Sequence, residues 1–176
     1  MSVAAEQTHA APDTKTLLIV YHTQTGGTRQ MVEAAARAAR GEAGVRVKLM
    51  RAFDAGSDDV LGADGFIFAT PENLAAMSGA LKDFFDRCYY AALDRLNGRP
   101  YASLVCAGSD GQNAVRQIER IAVGWRLKAV AEPVIVCTRA QTPEAILRPK
   151  RITVADIERC AALGAAMAAG LAMGVF

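Results

Sequence analysis

The sequence is short of charge of either sign in excess. Twenty Lys and Arg face 18 Asp and Glu over 176 residues, a net charge of +2, with both signs mixed along the chain. That balance gives no electrostatic footprint for nucleic acid. It also lacks the block of acids with which many electron carriers dock on their partners. Cysteine is scarce: Cys88, Cys106, Cys137 and Cys160 form no CxxC pair, and no His lies close enough in sequence to suggest zinc. They read as reduced cytoplasmic thiols packed in the core as small hydrophobes. Met1 to Thr16 lacks an apolar stretch of secretory length. It is polar, Ala-rich and contains Pro12, so residues 1–15 are expected to be a disordered tail and 16–176 one domain. The uncharged run from Cys160 to Phe176 is mostly Ala and Gly and falls short of the ~20 strongly apolar residues of a membrane span. It reads as a buried helix, with no span of a membrane.

What is present is alternation. Hydrophobic residues make up 52% of the chain, a globular composition. Leu17 to Tyr21 is a short continuous apolar run, as in a strand buried on both faces. A helix is predicted over Thr28–Arg40, stopped by Gly41 and Gly44, then a strand from Val45 to Met50. Gly65 to Ala69 is a third strand, halted by Thr70-Pro71. A helix follows over Gly79–Leu93, with Leu81, Phe84, Phe85, Cys88 and Tyr89 at helical spacing. Tyr101–Ala107, a helix over Asn113–Lys128, and Pro133–Thr138 continue the pattern. After a polar loop to Arg151, Thr153 to Asp156 reads as a capping box opening the last helix. Five strands alternating with helices imply a three-layer α/β domain with a parallel sheet. Ligands of such sheets bind beyond the carboxyl ends of the strands, where the strand order reverses.

Three segments fall at that edge. Thr23-Gln24-Thr25-Gly26-Gly27-Thr28 joins the first strand to a helix. Free N–H groups, the positive end of the helix dipole and three hydroxyls favour a phosphate there. The segment has neither the Gly-Lys-Thr or Gly-Lys-Ser of a triphosphate loop nor GxGxxG, so it suits a monophosphate. The second segment runs from Thr70 to Gly79. Its Pro71, Glu72 and Asn73 offer rigid backbone and polar donors, and Leu74 and Met77 offer an apolar face for a flat heterocycle. The third is Gly108-Ser109-Asp110-Gly111, after the fourth strand.

Together these segments resemble the flavodoxin-like superfamily, closest to the NADPH-dependent FMN reductase family and its quinone-reductase relatives. Thr23 to Thr28 is similar to T-x-T-G-x-T, and Pro71 to Arg87 to P-E-N-x-x-x-M-S-G-x-L-K-x-F-x-D-R. The resemblance covers about Thr16 to Cys137. It implies a flavodoxin-like sheet of order 2-1-3-4-5 and an FMN cofactor. By position, Thr23, Gln24, Thr25, Gly26, Gly27 and Thr28 would cradle the phosphate. Pro71, Glu72, Asn73, Leu74 and Met77 would line the isoalloxazine ring, and Gly108, Ser109, Asp110 and Gly111 would close its other side. Many relatives place an aromatic residue where this chain has Leu74-Ala75-Ala76.

Two other users of this architecture are excluded. A low-molecular-weight phosphatase needs Cys followed six positions on by Arg, and the four cysteines give Asp94, Gln112, Pro143 and Ala166. A response-regulator receiver needs acids after the first strand and Asp at the end of the third, where this chain has His22-Thr23 and Ala69-Thr70. His22 reads as a structural strand-end residue, Trp125 as core or interface, and Arg116, Arg120 and Arg126 as a solvated helix face. The implied function is an NAD(P)H-dependent reductase passing electrons through FMN to a quinone, flavin or similar small molecule, without a catalytic acid or base from the protein. An electron-transfer module serving protein partners is the second reading, and a flavin-binding interaction protein without turnover the third. A homo-oligomer, dimer or tetramer, is expected, with Phe84, Phe85, Tyr89 and Tyr90 as candidate contacts or as core.

Overall fold

Leu17 to Val20 are wholly buried and form the middle of β1 (Lys15–Tyr21), as a continuous apolar run requires of a central strand. The computed structural model describes residues 14–176, and most of the expected tail at 1–15 lies outside the described residues. β1 pairs in parallel with β2 (Val45–Arg51) on one side and with β3 (Gly65–Asn73) on the other. β3 in turn pairs with β5 (Pro100–Ala107). Two pieces, β6 (Lys128–Ala129) and β7 (Val134–Cys137), lie along the outer edge of β5. Counting them as one interrupted edge strand gives the expected order 2-1-3-4-5.

The departures from expectation have local causes. The edge strand breaks before Pro133, which has no N–H to give a ladder, so β7 starts one residue later than predicted. β3 does not stop at Thr70-Pro71. Its pairing with β1 ends at Ala69, so beyond that point one edge is free and the missing N–H of Pro71 goes unneeded. The strand runs on to Asn73 and folds back as a hairpin on β4 (Ala76–Met77), the sheet's antiparallel piece. Leu74 and Ala75 at its tip both have positive φ, 50° and 59°.

Two helices cover one face of the sheet: α1 (Gly27–Ala39) and α6 (Val154–Met173). They pack closely enough that a Cβ on Gly164 would lie 2.1 Å from the carbonyl oxygen of Ala35. α6 opens as predicted: the Thr153 hydroxyl accepts the Asp156 N–H at 3.2 Å. The other face carries α2 (Ser57–Leu61), α3 (Gly79–Ala92) and α4 (Gln112–Gly124). α4 ends four residues before the predicted limit, because Trp125 turns into the core and Arg126 adopts φ 56°. The Trp125 ring sits 5.2 Å from Phe85 and 6.1 Å from Phe84, centre to centre. Aromatic side chains bury ~150–250 Å² each, so this cluster anchors the layer. Phe84 and Phe85 are therefore core, while Tyr89 and Tyr90 are exposed on α3. Cys88, Cys106 and Cys160 are buried as expected, but Cys137 is exposed. A further five-residue helix, α5 (Pro143–Leu147), lies in the loop predicted as irregular. Among the described residues no helix is long and apolar enough to cross a membrane.

Candidate cofactor site

The chain leaves β1 toward β2 on one side and reaches β3 on the other, so the order reverses beside β1. The three expected loops meet there, around a cleft of about 710 Å³. That volume lies in the ~300–1,000 Å³ range of small-molecule and cofactor sites.

At one end stands the turn between β1 and α1. Gly26 caps α1 at φ 86°, a conformation that side chains disfavour, and its N–H donates to Thr23 Oγ1 at 3.2 Å. Gly27 opens the helix against the wall: a Cβ there would lie 2.5 Å from Cys106 Sγ. The first turn of α1 contains no acid. Among the described residues, the N–H groups of Thr25, Gly27 and Thr28 meet no protein acceptor. The hydroxyl of Thr28 is buried and has no hydrogen-bond partner. A buried hydroxyl left unpaired costs about 1–3 kcal/mol unless something supplies its partner. Unpaired donors, a helix N-terminus and no competing carboxylate fit a phosphate group.

The opposite end is built by pairing. The Glu72 carboxylate accepts the Gly111 N–H at 2.9 Å, tying the second loop to the third. Asn113 Nδ2 donates to the Ala75 carbonyl at 2.7 Å and holds the hairpin tip. Below it, the buried Thr70 hydroxyl accepts the Ser78 N–H at 2.9 Å and donates to Pro71 O at 2.9 Å. Leu74 is fully exposed at the tip.

Ten of the expected residues line the cleft: Thr23, Gln24, Thr25, Gly27, Thr28, Pro71, Glu72, Asn73, Leu74 and Gly108. Five stand off it. Gly26 shapes the turn, and Gly111 is buried under loop three as the Glu72 donor. Ser109 and Asp110 point to solvent. Met77 is packed in the core on the far side of the hairpin, its N–H donating to Gln117 Oε1 at 2.8 Å. Met77 lies on β4, the return strand of the hairpin, whose backbone is bonded to α4. Eight lining residues went unpredicted: Ala75, Cys106, Ala107, Thr138, Ala140, Ile146, Leu147 and Lys150. Thr138 and Ala140 follow a strand at the same edge, so the edge rule alone points to them. Ile146 to Lys150 carry no local signal.

The cleft holds little acid–base chemistry. Burial pushes the Cys106 thiol up to about 11, so it stays neutral. The Lys150 ammonium donates to three carbonyls, of Ala145, Ile146 and Arg148, at 2.7–2.8 Å. His22 does not line the cleft. Its ring meets Phe53 edge-on at 5.8 Å, and burial, then Arg51, lowers its pKa. Arg126 lies beyond α4 and pairs with Asp94 at 2.9 Å.

A sequence model of the NADPH-dependent FMN reductase family matches residues 51–141, more than half of the chain. The chain belongs to this family. FMN is thus its cofactor, and a reduced nicotinamide nucleotide the family's reductant, as the sequence implied. The match takes in the hairpin and the third loop. A flavodoxin of Aquifex aeolicus is 40% identical over 70 residues, 40% of this chain and 38% of its own length. An NAD(P)H dehydrogenase (quinone) of Acidithiobacillus ferrooxidans is 32% identical over 40% of this chain and 46% of its own length. The chain therefore matches less than half the length of these curated relatives. An archaeal flavodoxin structure superposes with a TM-score of 0.71 at 16% identity, covering 89% of this chain and 98% of its own, which supports the flavodoxin-like fold.

Proposed function

We propose that this family member is an NAD(P)H-dependent flavoprotein reductase that delivers electrons to a small, planar, apolar acceptor of the quinone or flavin type. One observation carries the reading: three exposed apolar side chains from two separate segments, Leu74 on the hairpin and Ile146 and Leu147 on α5, line one open cleft. Large apolar side chains left in water around a cleft mark a binding surface. When bound, FMN would supply the redox chemistry between a reduced nicotinamide and the acceptor.

The protein's share is position. The turn at Thr23–Thr28 holds the phosphate, with Thr28 Oγ1 and the free N–H groups as donors. The hairpin and loop three, locked together by Glu72 and Asn113, border the ring. The apolar rim admits the acceptor. The nicotinamide brings one hydride, and the further proton that a quinone or flavin takes up on two-electron reduction comes from solvent through the open cleft. Free cysteines and a nicotinamide reductant suit a reducing cytoplasm. For a homo-oligomer, the exposed Tyr89–Tyr90 pair on α3, with ring centres 5.2 Å apart, is the candidate contact.

The test is oxidation of NADH and NADPH by the flavin-loaded protein with a series of quinones of increasing hydrocarbon content. Turnover that rises with acceptor apolarity supports the reductase. Absence of turnover, with reduction that halts after one electron, supports instead a flavodoxin-type electron carrier, the reading that the Aquifex relative's name favours.

A further inference from the structure

The cleft's outer wall is the stretch 142–152, beyond the residues that the family model matches. It has no core of its own. α5 buries none of its side chains, and Ile146 and Leu147 are 51% and 76% exposed. Segments with so few buried apolar contacts open at low free energy unless something holds them. Beyond the packing of Ile152 at its end and one backbone bond, what holds this one is a side chain on α1.

The Gln30 amide reaches in three directions. Its Nε2 donates to the Gly26 carbonyl at 3.0 Å and to the Lys150 carbonyl at 2.7 Å. Its Oε1 accepts the Ile152 N–H at 3.2 Å. Gly26 belongs to the phosphate turn, so one amide joins that turn to the segment covering it. A fourth bond runs alongside, from the Lys150 N–H to the Thr25 carbonyl at 2.9 Å. The Lys150 ammonium then ties the segment to itself by donating to the three carbonyls of α5 and its end. Only a primary amide of this length supplies two donors and an acceptor at once.

We propose that Gln30 is a positioning residue that latches the 142–152 segment over the phosphate turn and so slows release of the flavin. This rests on the FMN reading above. The latch accounts for how a segment whose helix buries no side chain stays against α1, with two exposed apolar side chains held over the cleft. Loss of the amide frees the segment without removing any group that faces the phosphate.

The test has two arms. In the flavin-free protein, hydrogen–deuterium exchange reads the latch itself. Gln30→Ala is expected to speed exchange across 142–152 while the helical amides of 31–39 stay protected. Unchanged exchange across 142–152 overturns the latch. In the FMN-loaded protein, stopped-flow displacement reads retention. Gln30→Ala and Lys150→Ala are each expected to speed FMN release about tenfold, the scale of one or two lost hydrogen bonds. Gln30→Glu, whose carboxylate faces two carbonyl oxygens, is expected to release FMN at least as fast. The double variant should release it no faster than either single one within about twofold, because both act through one segment. Unchanged release from Gln30→Ala, in a protein whose wild type binds FMN, overturns the proposal. A wild type that takes up no FMN at all overturns the flavin reading and the retention claim together, with the exchange arm still deciding the latch.

Discussion

At the turn after β1 the protein leaves polar groups without partners. At the hairpin after β3 and the loop after β5 it pairs them. Thr28 Oγ1 is buried and unpaired beside free helix N–H groups, whereas Glu72 is matched to Gly111 and Asn113 to Ala75. The difference separates two tasks. Unpaired donors in a rigid turn are a standing cost in the empty protein that a bound anion repays. On the proposed reading, a self-satisfied hairpin with an exposed apolar tip adds little to affinity but fixes a surface for a flat acceptor. Binding strength is thus expected at the phosphate end and choice of acceptor at the rim.

The sharpest way to break this contrast is to fill the turn. Gly27→Ala places a methyl 2.5 Å from Cys106 Sγ and displaces the start of α1. FMN affinity should fall more than tenfold and stability by about 1–3 kcal/mol, read by titration and denaturant melts. Adding Cys106→Ala should restore much of both, since the colliding sulfur is gone. Next comes Thr28→Val, which keeps the shape and removes the orphan hydroxyl. It should weaken FMN by about 1–3 kcal/mol while leaving the flavin-free protein as stable as before or more so. Matched losses in both states would place Thr28 in the structural class with Glu72.

Glu72→Ala should behave in the opposite way. It leaves the Gly111 N–H without its acceptor and costs about 1–2 kcal/mol of stability with or without flavin. The smallest effect is expected at the hairpin tip. Leu74 sits at φ 50°, where a bulky residue is strained. Leu74→Asn relaxes that strain and should raise stability by about 0.5–1 kcal/mol, while raising KM for apolar acceptors. A drop in stability would mean that the leucine makes contacts which outweigh its backbone.

The sheet and the turn between β1 and α1 were legible in the sequence because their signals are local. An apolar run, a turn with two glycines and a capping Thr each state their structure within a few residues. β3 ran past Pro71 because the end of its neighbour β1 decides whether a missing N–H matters, and no local pattern reports that. Met77 is packed in the core and not among the cleft's lining residues, because the return strand of the hairpin lies against α4, a long-range contact that no local pattern reports. The covering segment was invisible for the same kind of reason. Its anchor, Gln30, is 120 residues away from Lys150 in sequence.

Comparison of FMN with riboflavin tests the phosphate end most directly. The two differ only in the phosphate, so flavin fluorescence titration of the flavin-free protein isolates that group. FMN is expected to bind at least about a hundredfold more tightly than riboflavin, the scale of two or more charge-assisted hydrogen bonds, with Thr28→Val closing most of the gap. Equal affinity for the two flavins would contradict the assignment of the turn at Thr23–Thr28.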